Sequence, residues 1–305
     1  MSSPIFLSIL IPVYNYDVRK LLQELHSQAM ALQEEYGIEI IVMDDGSSQK
    51  YGTAQLVKHL ALVSLEEFAV NRGRVAIRNS LIERAKGDFI LLLDADMLPD
   101  DDSFLKRYIT QATSGCDIIC GGISYLQNLQ DTQEHSFYLY KSQKTEEVSA
   151  NLRNQAPWRY LFTSNIMLRR QTVESVRFDP RFSGYGYEDI EWAIRLNKVY
   201  TITHIDNTCS HMGLMTKQQA FVRMRESINN YALLMSLHPL ETAGSNAAKV
   251  SKVLKALPYS VLHGTDVLLS KLFFSVSWNP LAFVLFQCDK MTLLAQAMKR
   301  QFHRM

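Results

Sequence analysis

Phe89-Ile90-Leu91-Leu92-Leu93-Asp94-Ala95-Asp96 decides the fold of this 305-residue chain. Five consecutive apolar residues suit a strand buried on both faces and are too few for a helix. Gly87 and Asp88 precede the run, and two carboxylates end it. Strands covered on both faces belong to mainly parallel sheets flanked by helices, and such sheets bind ligands beyond the carboxyl ends of their strands. If the strand continued past Leu93, Asp94 and Asp96 would project to the same side. Hard cations such as Mg²⁺ and Mn²⁺ take oxygen ligands and share carboxylates with substrate phosphates. The tripeptide is therefore the first candidate site.

On the N-terminal side the same alternation recurs. Residues 5–11 form an apolar run interrupted only by Ser8. Val18, Leu21, Leu22, Leu25, Ala29 and Leu32 then mark one face of a helix, with Gly37 as its stop. Residues 38–43 form a second strand, closed by Asp44-Asp45-Gly46-Ser47-Ser48. Helices are expected over 53–62 and 74–86. On the C-terminal side a helix is expected over 100–113 and a strand over 117–124. The turn clusters at 12–17, 44–48 and 94–96 all fall at strand ends, so they converge on one edge of the sheet.

Residues 125–160 are polar, with Gln127, Asn128, Gln130, Asp131, Gln133 and Glu134, and read as a long loop or irregular insert. The pattern resumes with strands at 165–168 and 200–205 and helices at 188–197 and 217–237. Beyond His238-Pro239 the chain reads as helical, with breaks near Gly244, Pro258 and Pro280. This gives an α/β catalytic domain over 1–237 and a helical C-terminal extension over 238–305.

Composition narrows the function classes. Lys plus Arg is 32 and Asp plus Glu is 31, a net charge of +1, so nothing supports a broad grip on nucleic-acid phosphates. Four cysteines are too few for a disulfide scaffold in a chain of this size, and a reducing, cytoplasmic setting is expected. The longest uncharged stretch, 272–288, is shorter than a spanning helix and carries polar residues. With Trp278 inside it and Lys271, Lys290, Lys299, Arg300 and Arg304 around it, the stretch suits an interfacial surface or a buried helix pair.

Further groups carry chemistry. A carboxylate beyond a buried strand, at Asp44 or Asp45, can accept hydrogen bonds from a base N–H or from ribose hydroxyls. Arg74 and Arg78 lie one helical turn apart after Gly73, an arrangement suited to a diphosphate. His211 follows an expected strand, and imidazole with carboxylate oxygens suits Mn²⁺. His204 is a lesser candidate.

Taken together, these segments resemble the family 2 glycosyltransferases of the GT-A nucleotide-sugar fold. The matching residues are Ser8 to Asn15, Val42 to Ser47, Asn71-Arg72-Gly73, Ala76 to Asn79, Ala85 to Asp96, Phe178-Asp179 and Gly184 to Glu191. The resemblance covers about residues 8–213 and says little about the tail. It implies that Pro12, Val13 and Tyr14 lie beside the nucleotide base. It implies that an acid of the Asp44-Asp45 turn holds the uracil, with Asp45 favoured. Arg78 would lie near the uridine or diphosphate, Asp94 and Ala95 near the ribose or metal, and Asp96 on the metal with His211. Ser164-Asn165 resembles the place where relatives contact the donor sugar, and Trp158 could stack on a sugar face.

The Glu188-Asp189 pair resembles the Glu-Asp motif of galactosyl- and N-acetylhexosaminyl-transferring relatives, including bacterial chondroitin-type polymerases. An inverting transfer needs a base for the acceptor hydroxyl proton. Asp189 is the expected base, and Glu188 the residue that holds sugar hydroxyls. The implied activity moves a hexose or N-acetylhexosamine from a UDP-sugar to a glycan or lipid-linked saccharide, with Mn²⁺ or Mg²⁺ as cofactor. The expected location is cytoplasmic, with peripheral contact at the inner face of the membrane or a homodimer through the C-terminal helices. A sugar nucleotidyltransferase is the first alternative, but it would need a glycine-rich loop after the first strand, and 12–17 has no glycine. A non-catalytic UDP-sugar-binding partner is the second, and the intact Glu188-Asp189 pair speaks against it.

Overall fold

The computed structural model describes residues 6–128 and 133–302. Ile5, Gln130, Asp131 and Arg304, which entered the expectations above, lie outside the described residues. The chain forms two compact units. Of the described residues, the first takes those up to 128, 145–183 and 192–213, and the second takes 133–144, 184–191 and 214–302.

The first unit is built on a seven-stranded sheet. Its strands in chain order are β1 (Phe6–Val13), β2 (Gly37–Asp44), β3 (Val63–Glu67), β4 (Phe89–Leu93), β6 (Ile118–Cys120), β8 (Asn165–Arg169) and β9 (Ile202–His204). A second, three-stranded sheet takes β5 (Met97–Pro99), β7 (Ile123–Ser124) and β10 (Cys209–His211). The large sheet runs β3-β2-β1-β4-β8-β6-β9. Every neighbouring pair is parallel except those of β8, which runs antiparallel to both β4 and β6. The architecture is thus a mostly parallel mixed sheet with flanking helices, together with a helical C-terminal region.

Burial follows the sequence logic. β4 is buried at every position, as a strand covered on both faces must be. Leu10, Ile41, Ile90, Ile118, Leu168 and Trp192 belong to one core cluster. Phe178 stacks on Trp192 at 4.3 Å, and the Trp192 indole N–H donates to the Val176 carbonyl.

Several elements depart from the sequence expectation. The first helix ends at Leu32 and Gly37 opens β2, so this glycine is not the helix stop. The Phe6 ring lies where a side chain at Gly37 would stand. The expected helix over 53–62 shortens to Thr53–Val57. The expected strand over 117–124 breaks into β6 and β7 at Gly121-Gly122, where the Asn207 carbonyl and the Arg153 guanidinium approach too closely for side chains. The polar stretch 125–160 contains the helices Ser136–Thr145 and Ala150–Arg153, so it is more regular than its composition suggests. Phe137 and Tyr138 on the first of these are buried and supply the apolar face that orders it.

The second unit is helical, with Lys217–Glu226, Ile228–Leu237, Asn246–Leu254, Tyr259–Ser275 and Asn279–Phe302 as its main elements. Within the last, Asn279–Arg300 is long and apolar enough to cross a membrane by length and composition, and half of its apolar window is buried. The uncharged stretch 272–288 is broken between these last two helices at residues 276–278, and the last helix runs on through Asp289 and Lys290. Asp289 is fully buried.

Arg225 joins these helices. Its Nη1 donates to Asp266 Oδ1 at 2.6 Å and to Asp289 Oδ2 at 3.4 Å. His263 lies 4.0 Å from Asp266, and the Ser270 hydroxyl donates to the Asp266 carbonyl. Burial, followed by the Asp266 charge, pushes the Asp289 carboxyl up to about 7 against the pull of Arg225. Burial also raises Asp266, but its hydrogen bond and ion pair with Arg225 hold it below the ordinary carboxylate range. The folded state therefore keeps a proton on Asp289 that the unfolded chain releases above its ordinary 3.8. Stability from this group is present at low pH and is lost as pH rises from about 4 to about 7, by up to about 1.4 kcal/mol per pH unit. Asp266 acts in the opposite sense, but only below its ordinary value. Asp289→Asn should flatten the decline; urea denaturation at about pH 5 and about pH 8 reads the difference.

Among the cysteines, Cys120 and Cys209 are buried, and Cys116 and Cys288 are half-buried. Burial pushes the Cys120 thiol up to about 12 and raises that of Cys209 as well.

Candidate functional site

Chain topology brings the turns after β1, β2 and β4 to one edge of the large sheet. β1 pairs in parallel with β2 and β4, so their carboxyl ends point the same way. Val13 is buried, Pro12 is half-buried and Tyr14 is 53% exposed. The Asn15 carboxamide oxygen accepts from the backbone N–H of Ser48 and Gln49, and Ser47 Oγ accepts from the Asn15 N–H at 2.7 Å. These bonds tie the first turn to the second.

The two adjacent acids of the second turn do different work. Asp45 is buried, and its oxygens accept from the backbone N–H of Arg72 (2.8 Å) and Gly73 (2.9 Å). It pins the loop that opens the helix Arg74–Arg84. Asp44 Oδ1 accepts from the Ser47 N–H, and its Oδ2 meets Lys50 Nζ at 3.1 Å. Asp44 lines a cavity of about 280 Å³ with Val13, Tyr16, Lys50, Leu65 and Glu67. Of the two acids, Asp44 thus faces open space and Asp45 is consumed by backbone. Gly46 separates this turn from the next loop at φ +74°, and the backbone of Val70-Asn71 fills the place of a side chain, so only glycine fits on both counts.

β4 ends at Leu93, so strand alternation does not align Asp94 with Asp96; a tight turn separates them, closed by Met97 N–H on the Asp94 carbonyl. Asp94 accepts from Arg78 Nη2 at 2.9 Å. Arg78 is buried and lies 5.9 Å from the Phe178 ring, so it is a buried ion-pair member rather than part of a solvated basic face. The Ala95 backbone carries the turn between the two acids.

Asp96 meets His211. The antiparallel register of β5 and β10 sets Met97 opposite His211, and Met212 N–H donates to the Asp96 carbonyl at 2.7 Å. Asp96 Oδ2 lies 3.2 Å from His211 Nε2. The same oxygen occupies the place of a side chain at Gly213. Tyr125 presents an edge to the His211 ring at 6.0 Å, and Asn128 Nδ2 donates to the His211 carbonyl. Burial works against charge on both groups, but their mutual attraction prevails, so Asp96 falls below and His211 rises above its ordinary value. Tyr16, from the lining of the Asp44 cavity, is pushed up to about 12 by burial and then by the charges of Asp96 and Asp17. Tyr16 thus borders both the Asp44 cavity and the field of Asp96.

Two other expected positions are taken up by structure. Asn165 is 2% exposed; its Nδ2 donates to the carbonyls of Gly122 and Asn207, and its Oδ1 accepts from the Tyr108 hydroxyl. Its amide ties strands together and leaves no open group for a sugar. His204 is held by Arg153 and the Pro157 carbonyl, and burial lowers it to about 4. Trp158 is half-buried with the Arg159 guanidinium 5.2 Å from its ring.

The second unit holds Glu188 and Asp189 in the first turn of the helix Glu188–Asn197. Acids there are favoured by the helix dipole. Glu188 is buried and Asp189 half-buried, with Asp189 Oδ1 accepting from Ile190 N–H. The preceding residue, Tyr187, has φ +69°, rare for a side chain that is not glycine or asparagine. What holds it was not visible in the sequence. Its ring stacks on Tyr231 at 4.3 Å, and Lys290 Nζ lies 5.5 Å and 5.2 Å from the two ring centres. Asn230 Nδ2 donates to the Gly186 carbonyl at 2.9 Å, and buried Glu191 meets His238 Nε2 at 3.1 Å. Burial, then the Asp189 charge, pushes the Tyr187 hydroxyl far above its ordinary value. Tyr231→Ala should cost about 3 kcal/mol by chemical denaturation, because it opens a cavity and removes the ring stacked on Tyr187; Tyr231→Phe should cost far less.

Comparison with known proteins bears on the family and the fold. The family model for "Glycosyl transferase family 2" matches residues 8–177. A chondroitin synthase from Pasteurella multocida (strain Pm70) is 26% identical over an alignment of 222 positions that covers 62% of this chain and 23% of that protein. The curated relatives first matched are covered over 60% of their length or less. Among solved structures, the mannosyltransferase PcManGT from Pyrobaculum calidifontis, in complex with GDP-Man and Mn²⁺, is 17% identical with a TM-score of 0.53, covering all of this chain and 89% of that one. Glucosyl-3-phosphoglycerate synthase from Mycobacterium tuberculosis, with Mn²⁺, UDP and glucosyl-3-phosphoglycerate, is 13% identical with a TM-score of 0.52, covering 76% and 79%. These structures share the GT-A fold with this chain. The matched segment spans more than half of the chain, and it places the protein in glycosyl transferase family 2, as a glycosyltransferase.

Proposed function

We propose that the protein transfers a hexose or N-acetylhexosamine from a UDP-sugar to a hydroxyl of a glycan or lipid-linked saccharide, with inversion at the anomeric carbon. The observation that carries this is the Asp96–His211 pair, 3.2 Å apart, with Tyr16 linking its field to the Asp44 cavity. Asp44 receives the uracil N–H, with Val13, Pro12 and Tyr14 beside the base. Asp45 holds the loop before Arg74 rather than the base itself. Arg78 fixes Asp94 in its turn.

The donor set suits a divalent cation. A carboxylate oxygen and an imidazole nitrogen together fit Mn²⁺ better than an all-oxygen site would, with Mg²⁺ as the harder alternative. Asp96 and His211 are the residues that would hold it. Bound there, the ion offsets charge on the departing diphosphate.

Asp189 accepts the proton of the acceptor hydroxyl. The freed oxygen pair bonds to the anomeric carbon as the bond to the diphosphate oxygen breaks, and that oxygen leaves with its electron pair on UDP. No covalent sugar–enzyme intermediate is needed. Glu188 holds sugar hydroxyls. Residues 1–237 carry catalysis, and 238–305 support it, Lys290 through the Tyr187 stack.

The test is release of nucleoside diphosphate from a panel of UDP-hexoses, UDP-N-acetylhexosamines and GDP-mannose, with and without Mn²⁺. Mn²⁺-dependent UDP release from at least one UDP-sugar is expected. Turnover of GDP-mannose alone would overturn the UDP assignment, and equal release without metal would overturn the cation.

A further inference from the structure

The helix Tyr259–Ser275 buries Leu262, Asp266 and Phe273 on one side. Its opposite side ought to be polar in a surface helix. Yet Val261, Leu268 and Leu272 form an exposed row along one flank of it, and Trp278 and Val284 follow at 66% and 56% exposure. Scattered exposed apolar residues are ordinary, but a row along one helix followed by exposed apolar residues at the start of the next suits an interaction surface.

Charge says what covers it. From residue 246 to the end of the sequence, the only acids are Asp266 and Asp289. Both are buried against Arg225, so among the described residues from 246 to 300 no carboxylate is exposed. Lys271 and Arg300 are exposed on these two helices, and Lys249 and Lys252 on the preceding helix Asn246–Leu254. An apolar face with cations and no surface acids is complementary to a negatively charged bilayer interface. A second copy of the chain fits less well, because a two-fold contact sets the same patch against itself and would oppose like charges. Trp278 suits the headgroup level, where an amphipathic ring is favoured.

We propose that the outer face of the helix Tyr259–Ser275, with Trp278 and Val284, docks the protein on anionic phospholipid. This gives the membrane contact a defined face and headgroup charge. It does not depend on the transferase reading, because vesicle binding is measured without donor or acceptor.

The experiment is co-sedimentation of the full chain with phosphatidylcholine vesicles, with and without phosphatidylglycerol, alongside Lys271→Glu, Leu268→Glu and Trp278→Ala. Binding to the anionic vesicles is expected, with release at about 0.5 M NaCl as screening shortens the reach of the charges. Each variant should bind roughly tenfold more weakly, while circular dichroism and UDP release stay unchanged. Equal binding by Leu268→Glu, or no preference for the anionic vesicles, would overturn the proposal. So would a wild-type dimer that Leu268→Glu dissociates while vesicles are ignored, since a second copy would then cover the face. Loss of UDP release in all forms with vesicle binding intact would strike the transferase reading alone.

Discussion

Asp189→Asn should lower kcat about a thousandfold, within the range a positioned general base contributes. Asparagine keeps the size of the side chain and its acceptor oxygen toward Ile190 N–H, so the helix start survives. What it loses is the capacity to take a proton. Affinity for UDP-sugar should stay within about twofold, because the change removes an interaction made in the transition state. Single-turnover transfer and calorimetric UDP-sugar binding separate the two quantities. Near-normal transfer with intact binding would remove Asp189 from the base role. Glu188→Gln is the companion: if Glu188 holds sugar hydroxyls, its loss raises KM as well as lowering kcat. Tyr231→Ala should follow Asp189→Asn in kcat without changing nucleotide affinity, since it frees the residue just before the pair.

Asp96→Ala should abolish Mn²⁺-dependent UDP binding, weakening it roughly a hundredfold, with little loss of fold. Removing the carboxylate leaves His211 beside Tyr125 and the Asn128 amide, and β5 and β10 keep their backbone register. The contrast is Asp94→Ala. Arg78 is buried, so removing the carboxylate it meets at 2.9 Å should cost stability, about 2 kcal/mol. Calorimetry of UDP with and without Mn²⁺, together with urea denaturation, distinguishes the variants. An Asp96→Ala protein with unchanged Mn²⁺-dependent affinity would contradict its assignment to the metal.

How much was legible in the sequence depended on local pattern. β4 and the helix Glu188–Asn197 match the expected bounds, because a continuous apolar run and an acid-led amphipathic helix are signals that neighbours reinforce. β1, β2 and β8 lie within a residue or two of expectation. β3 was missed because Val63–Glu67 is an edge strand with no buried position and ends in two glutamates. β5 and β10 are three residues each, and β10 contains Ser210 and His211, so periodicity has nothing to count. Yet their pairing is what sets His211 against Asp96. The residue types of the site were therefore readable, while the register that joins them came only from tertiary structure.

The two acids of the second turn show the same limit. Asp44 and Asp45 are chemically identical neighbours, and the sequence could not divide their tasks. Pairing of β1 and β2 turns one toward the cavity and the other toward the backbone of Arg72 and Gly73. The stack of Tyr187 on Tyr231 with Lys290 was invisible for another reason: an aromatic or a lysine inside a helix, as Tyr231 and Lys290 are, reads as ordinary core or surface, and only folding brings positions some hundred residues apart onto one stack.

The thiols offer a different use of the molecule. Cys116 and Cys288 are the accessible pair, one in each compact unit, while Cys120 and Cys209 are sealed away. Maleimide dyes or nitroxides should therefore attach at two defined places without any engineered cysteine. Energy transfer or electron–electron dipolar spectroscopy between them would report the separation of the two labels with and without nucleotide sugar, in the native chain.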